Sequence, residues 1–472
     1  MENSKKLYII VLSVAFASFL CRLNLYTVNI SLPTISNFFN IGTSEASLIV
    51  SSYLLVITSC LLVFGKVGDI MGHKNIFIAG YGIFILGSLL CGISTGIFTL
   101  ISARAIHGLG ASMLLAASFA LIAKVIPEKR MGWAFGVNAS ATAIGVAAGA
   151  PLGGIIAEYL SWRGVFLINI PIGLGGLVCA YRFIPSSFQD NDQRPSELLH
   201  KFDFIGSILS FILFSALFYC NIAGNKYGWG SFQVFAAAGL ICITLLFFII
   251  QEKKHKNPLL DLTVLKNSKF ILALLATMAA YMPIAGNTFL LPFYLEFIKG
   301  LNPSKTGMIL LVYSLIYVFV SPYAGKLSDR KNPAILCTIA MAAAVLDTFL
   351  FSFTMKSSGL VPVLVFLALL GFSYVFFLSP INKMAMSCTF RGKEGIASGL
   401  LNSSINLSMV VGIAIFENVF IHSLGNITRH GTNLKQLDIP HSILLHGFSQ
   451  AYVAGGIMCL FAMFFAFFSK KR

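Results

Sequence analysis

The sequence predicts an all-α, polytopic membrane protein built from two related halves. Hydrophobic residues make up 57% of the 472 positions and charged residues only 11%, whereas soluble domains carry about 25% charged residues. Apolar runs near the ~20 residues that cross a bilayer recur along the whole chain. A short charged turn also occurs twice, about 260 residues apart, between apolar runs. Strands are not expected, because open sheets cannot satisfy their backbone groups in lipid.

We predict fourteen membrane-spanning helices from these apolar runs. They cover residues 7–33, 46–64, 76–96, 98–123, 132–158, 164–184, 203–221, 232–251, 270–295, 307–325, 334–354, 359–380, 396–421 and 447–468. The first run follows Lys5 and Lys6 as a signal peptide would, but it continues to Pro33, so we expect a retained helix.

The distribution of positive charge predicts the orientation in the membrane. Most of the 33 Lys and Arg residues fall on the side that carries both termini, and the positive-inside rule makes that side cytoplasmic. We therefore expect a multi-pass protein of the inner (cytoplasmic) membrane. The net charge of +16 then reflects contact with anionic headgroups of the lipid bilayer, and a nucleic-acid partner is not expected. The nine Cys show no metal-ligand spacing, so neither metal nor cofactor is expected.

The repeated turn predicts how the spans are organised. Gly65–Lys74 reads GKVGDIMGHK after the second span, and Gly325–Arg330 reads GKLSDR after the tenth. Spans 1–6 and 9–14 are then two repeats, with spans 7 and 8 inserted. The predicted domains are an amino-terminal bundle over 1–185, a linker with two helices over 186–268, and a carboxyl-terminal bundle over 269–472. Such duplicated bundles transport substrates by rocking one half against the other.

Each repeated turn carries a carboxylate, Asp69 or Asp329. A carboxylate there can cap the next helix or pair with a nearby Lys or Arg. A contact that forms in one conformation and breaks in the other would act as a latch. The predicted latch residues are Gly65, Asp69, Gly72, Lys74, Gly325, Asp329 and Arg330.

The fifth span reads GVAAGAPLGG over Gly145–Gly154. Small residues at four-residue spacing form a smooth face that lets another helix approach closely. Pro151 removes a backbone hydrogen bond and is expected to bend the helix. The predicted interface residues are Gly145, Gly149, Pro151, Gly153 and Gly154.

These motifs resemble those of the major facilitator superfamily and, over most of the chain, its fourteen-span drug:proton antiporter branch. Gly65–Lys74 resembles the superfamily's loop motif, with Ile70 and His73 at usual Arg positions. Gly145–Gly154 resembles the antiporter motif of the fifth helix. The most specific match is Trp162–Gly173, which resembles the branch's signature after that helix. Further matches are Leu23-Asn24, Thr27–Asn29 and Leu32-Pro33 in helix 1, Arg104, Gly108 and Gly110 in helix 4, and Gly395, Ala397–Gly399 and Gly412 in helix 13.

The resemblance implies a major facilitator fold, with alternating access by two six-helix halves and export energised by inward proton flow. It implies a small-molecule substrate, protons as the coupled ion, and no enzymatic activity. A monomer is expected to function. A phosphate-binding G-x-x-x-x-G-K-[ST] loop does not occur in the sequence, so ATP hydrolysis by this chain is not expected.

Ionisable groups inside a bilayer are costly and usually functional. Arg104 and His107 are three residues apart and share one face of the fourth helix, while Arg22, Tyr26 and Asn29 share a face of the first. The predicted substrate and proton pathway comprises Arg22, Asn24, Tyr26, Asn29, Arg104, His107, Asn402, Asn406 and Glu417.

Asn24 stands where related antiporters carry an Asp, and an amide cannot carry a proton. Glu417 is the first candidate for that role, because Asn402, Asn406 and Glu417 fall within about 60° on one helix. His107 is the second candidate, and Asp347 is a weaker one. A set of Tyr residues in the carboxyl-terminal half could line a pocket for flat ligands: Tyr281, Tyr294, Tyr313, Tyr317 and Tyr374.

Two other functions remain open from the sequence. Arg22 and Arg104 have no predicted acid beside them, so the substrate could itself be an organic anion or an anionic lipid. A non-transporting membrane sensor or scaffold is the alternative from another class.

Overall fold

The chain folds into fifteen α-helices and no strand within residues 2–126, 128–184, 203–255, 267–387, 394–425 and 440–469, which this computed structural model describes. The helices are α1 (Glu2–Phe39), α2 (Thr43–Met71), α3 (His73–Gly92), α4 (Ile97–Val125), α5 (Glu128–Tyr159), α6 (Gly164–Leu167), α7 (Asn169–Phe183), α8 (Phe204–Tyr227), α9 (Phe232–Lys254), α10 (Ser268–Phe293), α11 (Pro303–Arg330), α12 (Pro333–Thr354), α13 (Val361–Ser387), α14 (Glu394–Ser423) and α15 (His441–Phe468), and a π-helical turn, Tyr294–Ile298, follows α10. Fourteen helical segments are long and apolar enough to cross a membrane. This confirms the predicted all-α architecture with fourteen spans.

Two helices differ from the predicted spans, and both contain a proline near the point of difference. The first span was predicted to end at Pro33, but α1 continues through Pro33 to Phe39, as membrane helices tolerate an interior proline. The sixth span is divided at Ile168 into α6 and α7. Pro171 lies in the first turn of α7 and has no N–H to donate to the carbonyl of Leu167, so the backbone ladder is interrupted there.

The contacts within the chain define two compact units. The first unit contains Met1–Leu25, Ile49–Gly149 and Arg163–Asp261, and the second contains Tyr26–Leu48, Ala150–Trp162 and Leu262–Arg472. Helices α1, α2 and α5 therefore contribute one part to each unit. The predicted boundary at 185/186 lies outside the described residues, and the predicted domain limits stay predictions.

In the first unit, α3 packs against α4 and α7, and the inserted helices α8 and α9 pack against each other. In the second unit, α10 packs against α14 and α15, α12 against α13 and α15, and α11 against α13. Large apolar side chains cover much of the surface: Phe98, Phe232 and Leu346 are 83%, 81% and 72% exposed. Lipid contact accounts for such exposure in a multi-pass membrane protein.

Candidate functional site

Arg104 is the centre of a buried polar cluster in the first unit. Its guanidinium is fully buried and donates from Nε to the carbonyl of Ile49 at 3.0 Å and from Nη1 to Oδ1 of Asn24 at 2.9 Å. The guanidinium carbon also lies 4.1 Å from the ring centre of Tyr53, close enough for a cation–π contact. The buried guanidinium of α4 therefore contacts residues of both α1 and α2.

His107 completes this cluster, as its spacing from Arg104 predicted. Its Nδ1 lies 3.3 Å from Nη1 of Arg104, and its ring packs at 4.1 Å on Phe84. Among the described residues, Nη2 of Arg104 and Nε2 of His107 have no hydrogen-bond partner. The cluster therefore holds a buried cation whose Nη2 could donate to water or a substrate group, and an imidazole whose Nε2 could engage a proton, water or a substrate group.

Arg22, the other predicted cation of the pathway, lies apart from this cluster's hydrogen bonds. Its side chain is half-buried, and its Cβ faces Gly145 of α5, where an added Cβ would lie 3.3 Å away. The predicted pairing of two arginines around one substrate stays a prediction.

A small cavity of about 30 Å³ lies wholly within the second unit. Side chains from α1, α5, α10, α11 and α13 line it, and none of these lining residues is charged. The lining residues are Tyr26, Asn29, Ile30, Ala150, Ile284, Asn287, Thr288, Leu310, Tyr313, Ser314, Leu367 and Leu370. Two predicted pathway residues, Tyr26 and Asn29, therefore meet in one cavity.

The predicted Tyr set divides between this cavity and the helix core. Tyr313 lines the cavity and lies close enough to Tyr281 and Tyr317 to interact with them electrostatically. The hydroxyl of Tyr294 donates to the carbonyl of Met355 at 2.8 Å. Tyr374 is fully buried, with its hydroxyl 3.7 Å from the sulfur of Cys459.

Glu417 lies in the second-last turn of α14 and is buried, with only 1% of its surface exposed. A position near the outer end of a span could have been wet, but this side chain is not exposed. Its Oε2 lies 2.5 Å from Oγ of Ser47 in the second turn of α2. Asn406 is buried and Asn402 half-buried on the same helix, about 16 Å and about 22 Å along the axis from Glu417. These two amides are therefore too far away to touch the carboxyl group directly.

The predicted latch at the end of α2 forms a different contact from the one expected. Asp69 lies in the last turn of α2, and the N-cap residue of α3 is Gly72, with φ +86° and no side-chain cap hydrogen bond. Oδ1 of Asp69 lies 3.1 Å from Nε2 of His73. An added Cβ at Gly68 would lie 2.3 Å from that imidazole, so Gly68 makes room for the ring.

Lys74, the last residue of this motif, extends the contact to another helix. Its Nζ donates to the carbonyl of Tyr181 at 3.3 Å and lies 5.8 Å from that residue's ring centre. The loop motif thus links α3 to the end of α7 within the first unit.

The second copy of the turn also differs from the expected arrangement. Asp329 and Arg330 belong to the last turn of α11 rather than to a turn after it. The side chain of Asn332 caps α12 by accepting from the N–H of Ala334 at 3.0 Å. The side chain of Asp329 itself lies outside the described part of the chain. Lys383 of α13 donates to the carbonyl of Ser328 at 3.2 Å.

The glycine face of α5 allows close helix contacts in both units. An added Cβ would lie 2.5 Å from the carbonyl oxygen of Phe19 at Gly145, 2.6 Å from Cα of Thr27 at Gly153, and 2.3 Å from the carbonyl oxygen of Pro303 at Gly154. No side chain larger than glycine fits these approaches without a shift. Pro151 lies inside α5, which continues as one helix from Glu128 to Tyr159.

Comparisons with known proteins identify the family. The family model of the Major Facilitator Superfamily matches residues 14–413. The chain belongs to the major facilitator superfamily. It is therefore a secondary transporter rather than an enzyme, as the motifs predicted, and it handles small-molecule substrates within a membrane.

Named relatives include transporters with different cargo. The chain is 29% identical over 468 residues to the riboflavin transporter RibZ of Clostridioides difficile, covering 99% of this chain and 98% of that protein. It is 28% identical to the multidrug resistance protein Stp of Mycobacterium tuberculosis (strain CDC 1551 / Oshkosh), covering 87% and 75%. It is 26% identical to the methylenomycin A resistance protein of Bacillus subtilis, covering 88% and 87%.

A solved structure shares the fold. A bacterial homologue of the human lysosomal transporter Spinster, in an inward-facing and unoccupied conformation, superposes with a TM-score of 0.70 at 13% identity, covering 99% of this chain and 97% of that one.

Among the described residues, no group of three or more His, Cys, Asp or Glu side chains could hold a metal ion.

Sequence reasoning missed three residues of the candidate sites: Ser47, Asn287 and Tyr452. Ser47 lies 370 positions from Glu417, and Tyr452 lies 165 positions from Asn287, to which it donates. Tyr452 and Asn287 lie within apolar runs, and Ser47 lies at the edge of one, so no local spacing pairs them with their partners.

Proposed function

We propose that this transporter exports amphipathic small molecules in exchange for protons, by alternating access from an inner membrane with both termini in the cytoplasm. The drug-resistance names of its relatives and the close-packed glycine face of α5 support export. The observation that carries proton coupling is Glu417, a buried carboxyl group that contacts Ser47.

The hydrogen bonds around Ser47 favour a protonated Glu417. Oγ of Ser47 lies 2.8 Å from the carbonyl oxygen of Ser44 as well as 2.5 Å from Oε2 of Glu417. A serine hydroxyl has only one hydrogen to donate. A protonated Glu417 can donate to Ser47 while Ser47 donates to the carbonyl of Ser44, so that both contacts of the Ser47 hydroxyl are hydrogen bonds. An ionised Glu417 would compete with the carbonyl for a single hydrogen.

The surroundings of Glu417 also favour its protonated form. Glu45, in the first turn of α2, is close enough to influence Glu417 electrostatically, and two ionised carboxylates at short range repel each other. Burying an ionised carboxylate also costs free energy, because the charge loses its hydration. Deprotonation would therefore favour a conformation in which Ser47 and Glu417 separate and the carboxylate reaches water, which is how proton binding can shift a two-state equilibrium.

The test is pH-gradient-driven flux of a cationic dye in proteoliposomes containing wild type, Glu417→Gln or Asp347→Asn. The glutamine can neither release nor bind a proton, so we expect gradient-driven flux to fall to background while dye exchange at equal pH continues. Asp347, the weaker candidate from the sequence, is another buried acid, 5% exposed on α12, so Asp347→Asn tests that alternative in parallel, and we expect it to retain flux. Full gradient-driven flux in Glu417→Gln would show that Glu417 is not the proton site.

A second candidate, export of an organic anion, is favoured by the buried cation of Arg104 with its unused Nη2. An anionic substrate would supply the negative charge beside Arg104 that the neutral amide of Asn24 does not provide. Parallel flux of an amphipathic anion decides between the two: anion flux without dye flux would favour this second candidate.

A further inference from the structure

The imidazole of His107 is held in place by packing from two neighbouring helices. The side chain is fully buried, and its ring lies 4.1 Å from the ring of Phe84 on α3 and, edge-on, 5.6 Å from that of Tyr53 on α2. A Cβ added at Gly87 would lie 2.5 Å from the backbone nitrogen of His107, so α3 and α4 touch at this level. The ring is therefore restricted to the orientation in which its Nδ1 lies 3.3 Å from Nη1 of Arg104.

The contact with Arg104 decides which ring nitrogen of His107 carries a hydrogen. A guanidinium has five N–H donors and no acceptor, and it stays protonated in proteins. Nδ1 of His107 therefore takes part in this contact only as an acceptor, without a hydrogen of its own. A neutral imidazole carries one hydrogen on its two nitrogens, so in this arrangement that hydrogen is on Nε2.

A proton on Nδ1 would break this arrangement. An imidazolium would turn an N–H toward the N–H of Arg104 and place two buried cations side by side, where like charges repel. Arg104 is the charged group that acts electrostatically on His107, and Tyr53 is the titratable side chain packed on its ring. Phe84 and Gly87, which face it from α3, do not ionise. Within the described part of the chain, none of these neighbours is a carboxylate that would stabilise an imidazolium.

The same contact fixes the guanidinium of Arg104. Nη1 has two hydrogens, and the two acceptors beside it are Oδ1 of Asn24 at 2.9 Å and Nδ1 of His107 at 3.3 Å. Nε donates to the carbonyl of Ile49 at 3.0 Å. Acceptors from α1, α2 and α4 together fix the plane of the guanidinium and hence the direction of Nη2.

We propose that His107 is a positioning residue, a neutral hydrogen-bond acceptor that orients Arg104, and that it does not carry the coupled proton. A glutamine can take the same role, because its amide oxygen accepts and its amide nitrogen donates, as Nδ1 and Nε2–H do in this tautomer. The part of this inference that concerns transport rests on the function proposed above, whereas the tautomer of His107 can be measured independently of any flux.

The direct test is nitrogen NMR of the full chain in lipid nanodiscs, with isotope-labelled histidine. Comparison of wild type with His107→Gln identifies the two resonances of His107. We expect a neutral ring with its hydrogen on Nε2 throughout the range from about pH 5 to about pH 8, in which histidines commonly change charge. A ring protonated on both nitrogens within that range, or a hydrogen on Nδ1, would overturn the assignment.

Flux in proteoliposomes distinguishes an acceptor from a proton carrier. His107→Gln should keep the wild-type rate and pH profile of gradient-driven dye flux, whereas His107→Leu, which has no acceptor, should be about tenfold slower per folded molecule. Ser118→Ala is the matched control, because Ser118 is also a buried polar residue of α4 but its hydroxyl donates within that helix, to the carbonyl of Leu114 at 2.7 Å. Rescue by glutamine and not by leucine is the expected result.

The contrary outcomes are distinct from a failure of the proposed function. Loss of gradient-driven flux in His107→Gln, with dye exchange at equal pH retained, would make His107 a proton carrier. Equal rates in the glutamine and leucine variants would show that the acceptor does not matter for transport. Absence of proton-coupled flux in wild type, with the hydrogen of His107 found on Nε2, would overturn the export mechanism and leave the assignment of the tautomer standing.

Discussion

Arg104 of α4 donates to Oδ1 of Asn24 of α1 across 2.9 Å at a fully buried position. The contact joins the Arg of the helix 4 motif to the amide of the helix 1 motif, at the position where the resemblance implies an Asp. A hydrogen bond between a cation and a carboxylate is roughly twice as strong as one between neutral groups. The amide therefore leaves Arg104 with less electrostatic compensation than an acid would.

We expect Asn24→Asp to raise the thermal unfolding temperature of the purified protein and Asn24→Leu to lower it. Leucine removes an acceptor from a buried cation, a loss on the order of 1–3 kcal/mol. Unfolding followed by tryptophan fluorescence in detergent at neutral pH measures both changes. Equal unfolding temperatures for the two variants would contradict the idea that Asn24 compensates Arg104.

The Asp69–His73 contact should depend on Gly68. In Gly68→Ala, the added methyl group would lie 2.3 Å from Nδ1 of His73, so the imidazole must move away from Asp69. We expect transport to slow, and the loss of the Asp69–His73 contact to lower stability by about 0.5–1.5 kcal/mol, the range of a typical hydrogen bond. Initial flux rates in proteoliposomes provide the measurement.

Gly65→Ala is the control for this prediction. Gly65 lies on the same helix, and a Cβ added there would meet nothing within 4 Å. Equal flux in the two alanine variants would contradict a latch role for the Asp69–His73 contact.

The bilayer explains why so much of the fold could be predicted. Each helix that crosses lipid must be a long apolar run, so the fourteen apolar runs of the sequence correspond to the fourteen candidate spans of the structure. The ends of the spans were harder to predict: the first span was expected to end at residue 33, but α1 continues to Phe39. Periodicity also placed Arg104 beside His107, since a spacing of three residues puts both on one helix face.

The contacts between distant segments could not be predicted in the same way. Asp69 and His73 are close in sequence, yet the expected contacts of Asp69 were a cap on the next helix or a pairing with a nearby Lys or Arg, whereas its Oδ1 lies 3.1 Å from Nε2 of His73. The Ser47–Glu417 and Tyr452–Asn287 contacts join segments far apart in sequence. Ser, Asn and Tyr in apolar helices have many possible partners, and only the packing selects one.

Asn169, part of the signature after α5, should act mainly through stability. It is 1% exposed, and its Nδ2 lies 3.2 Å from Oγ of Ser88, which donates to the carbonyl of Phe166 at 2.7 Å. We expect Asn169→Leu to destabilise the protein by about 1–3 kcal/mol by removing a buried donor.

Thermal unfolding and flux per folded molecule together test the role of Asn169. The expected result is a lower unfolding temperature with flux retained. Ser140→Ala is the control, because Ser140 is an exposed residue of α5 whose hydroxyl donates within its own helix. A loss of flux without a loss of stability would assign Asn169 to the transport cycle instead.

Gly154 should determine how easily α5 and α11 separate. An added Cβ at Gly154 would lie 2.3 Å from the carbonyl oxygen of Pro303, and overpacking of this kind costs about 1–3 kcal/mol. That cost applies only while the two helices touch, so Gly154→Ala should shift the population toward conformations in which they are apart. Gly136→Ala on the same helix is the control, since a Cβ there meets nothing within 4 Å.

Thiol labelling measures that shift directly. Ser304 is half-buried beside Pro303, and its N–H donates to Oε2 of Glu158 on α5 at 2.9 Å, so Ser304→Cys reports whether the two helices touch. We expect a membrane-impermeant thiol reagent to label this cysteine faster in Gly154→Ala than in Gly136→Ala, after subtraction of labelling in proteins that keep Ser304. Equal rates would mean that α5 and α11 stay together throughout the cycle, and that the glycine face serves packing rather than movement.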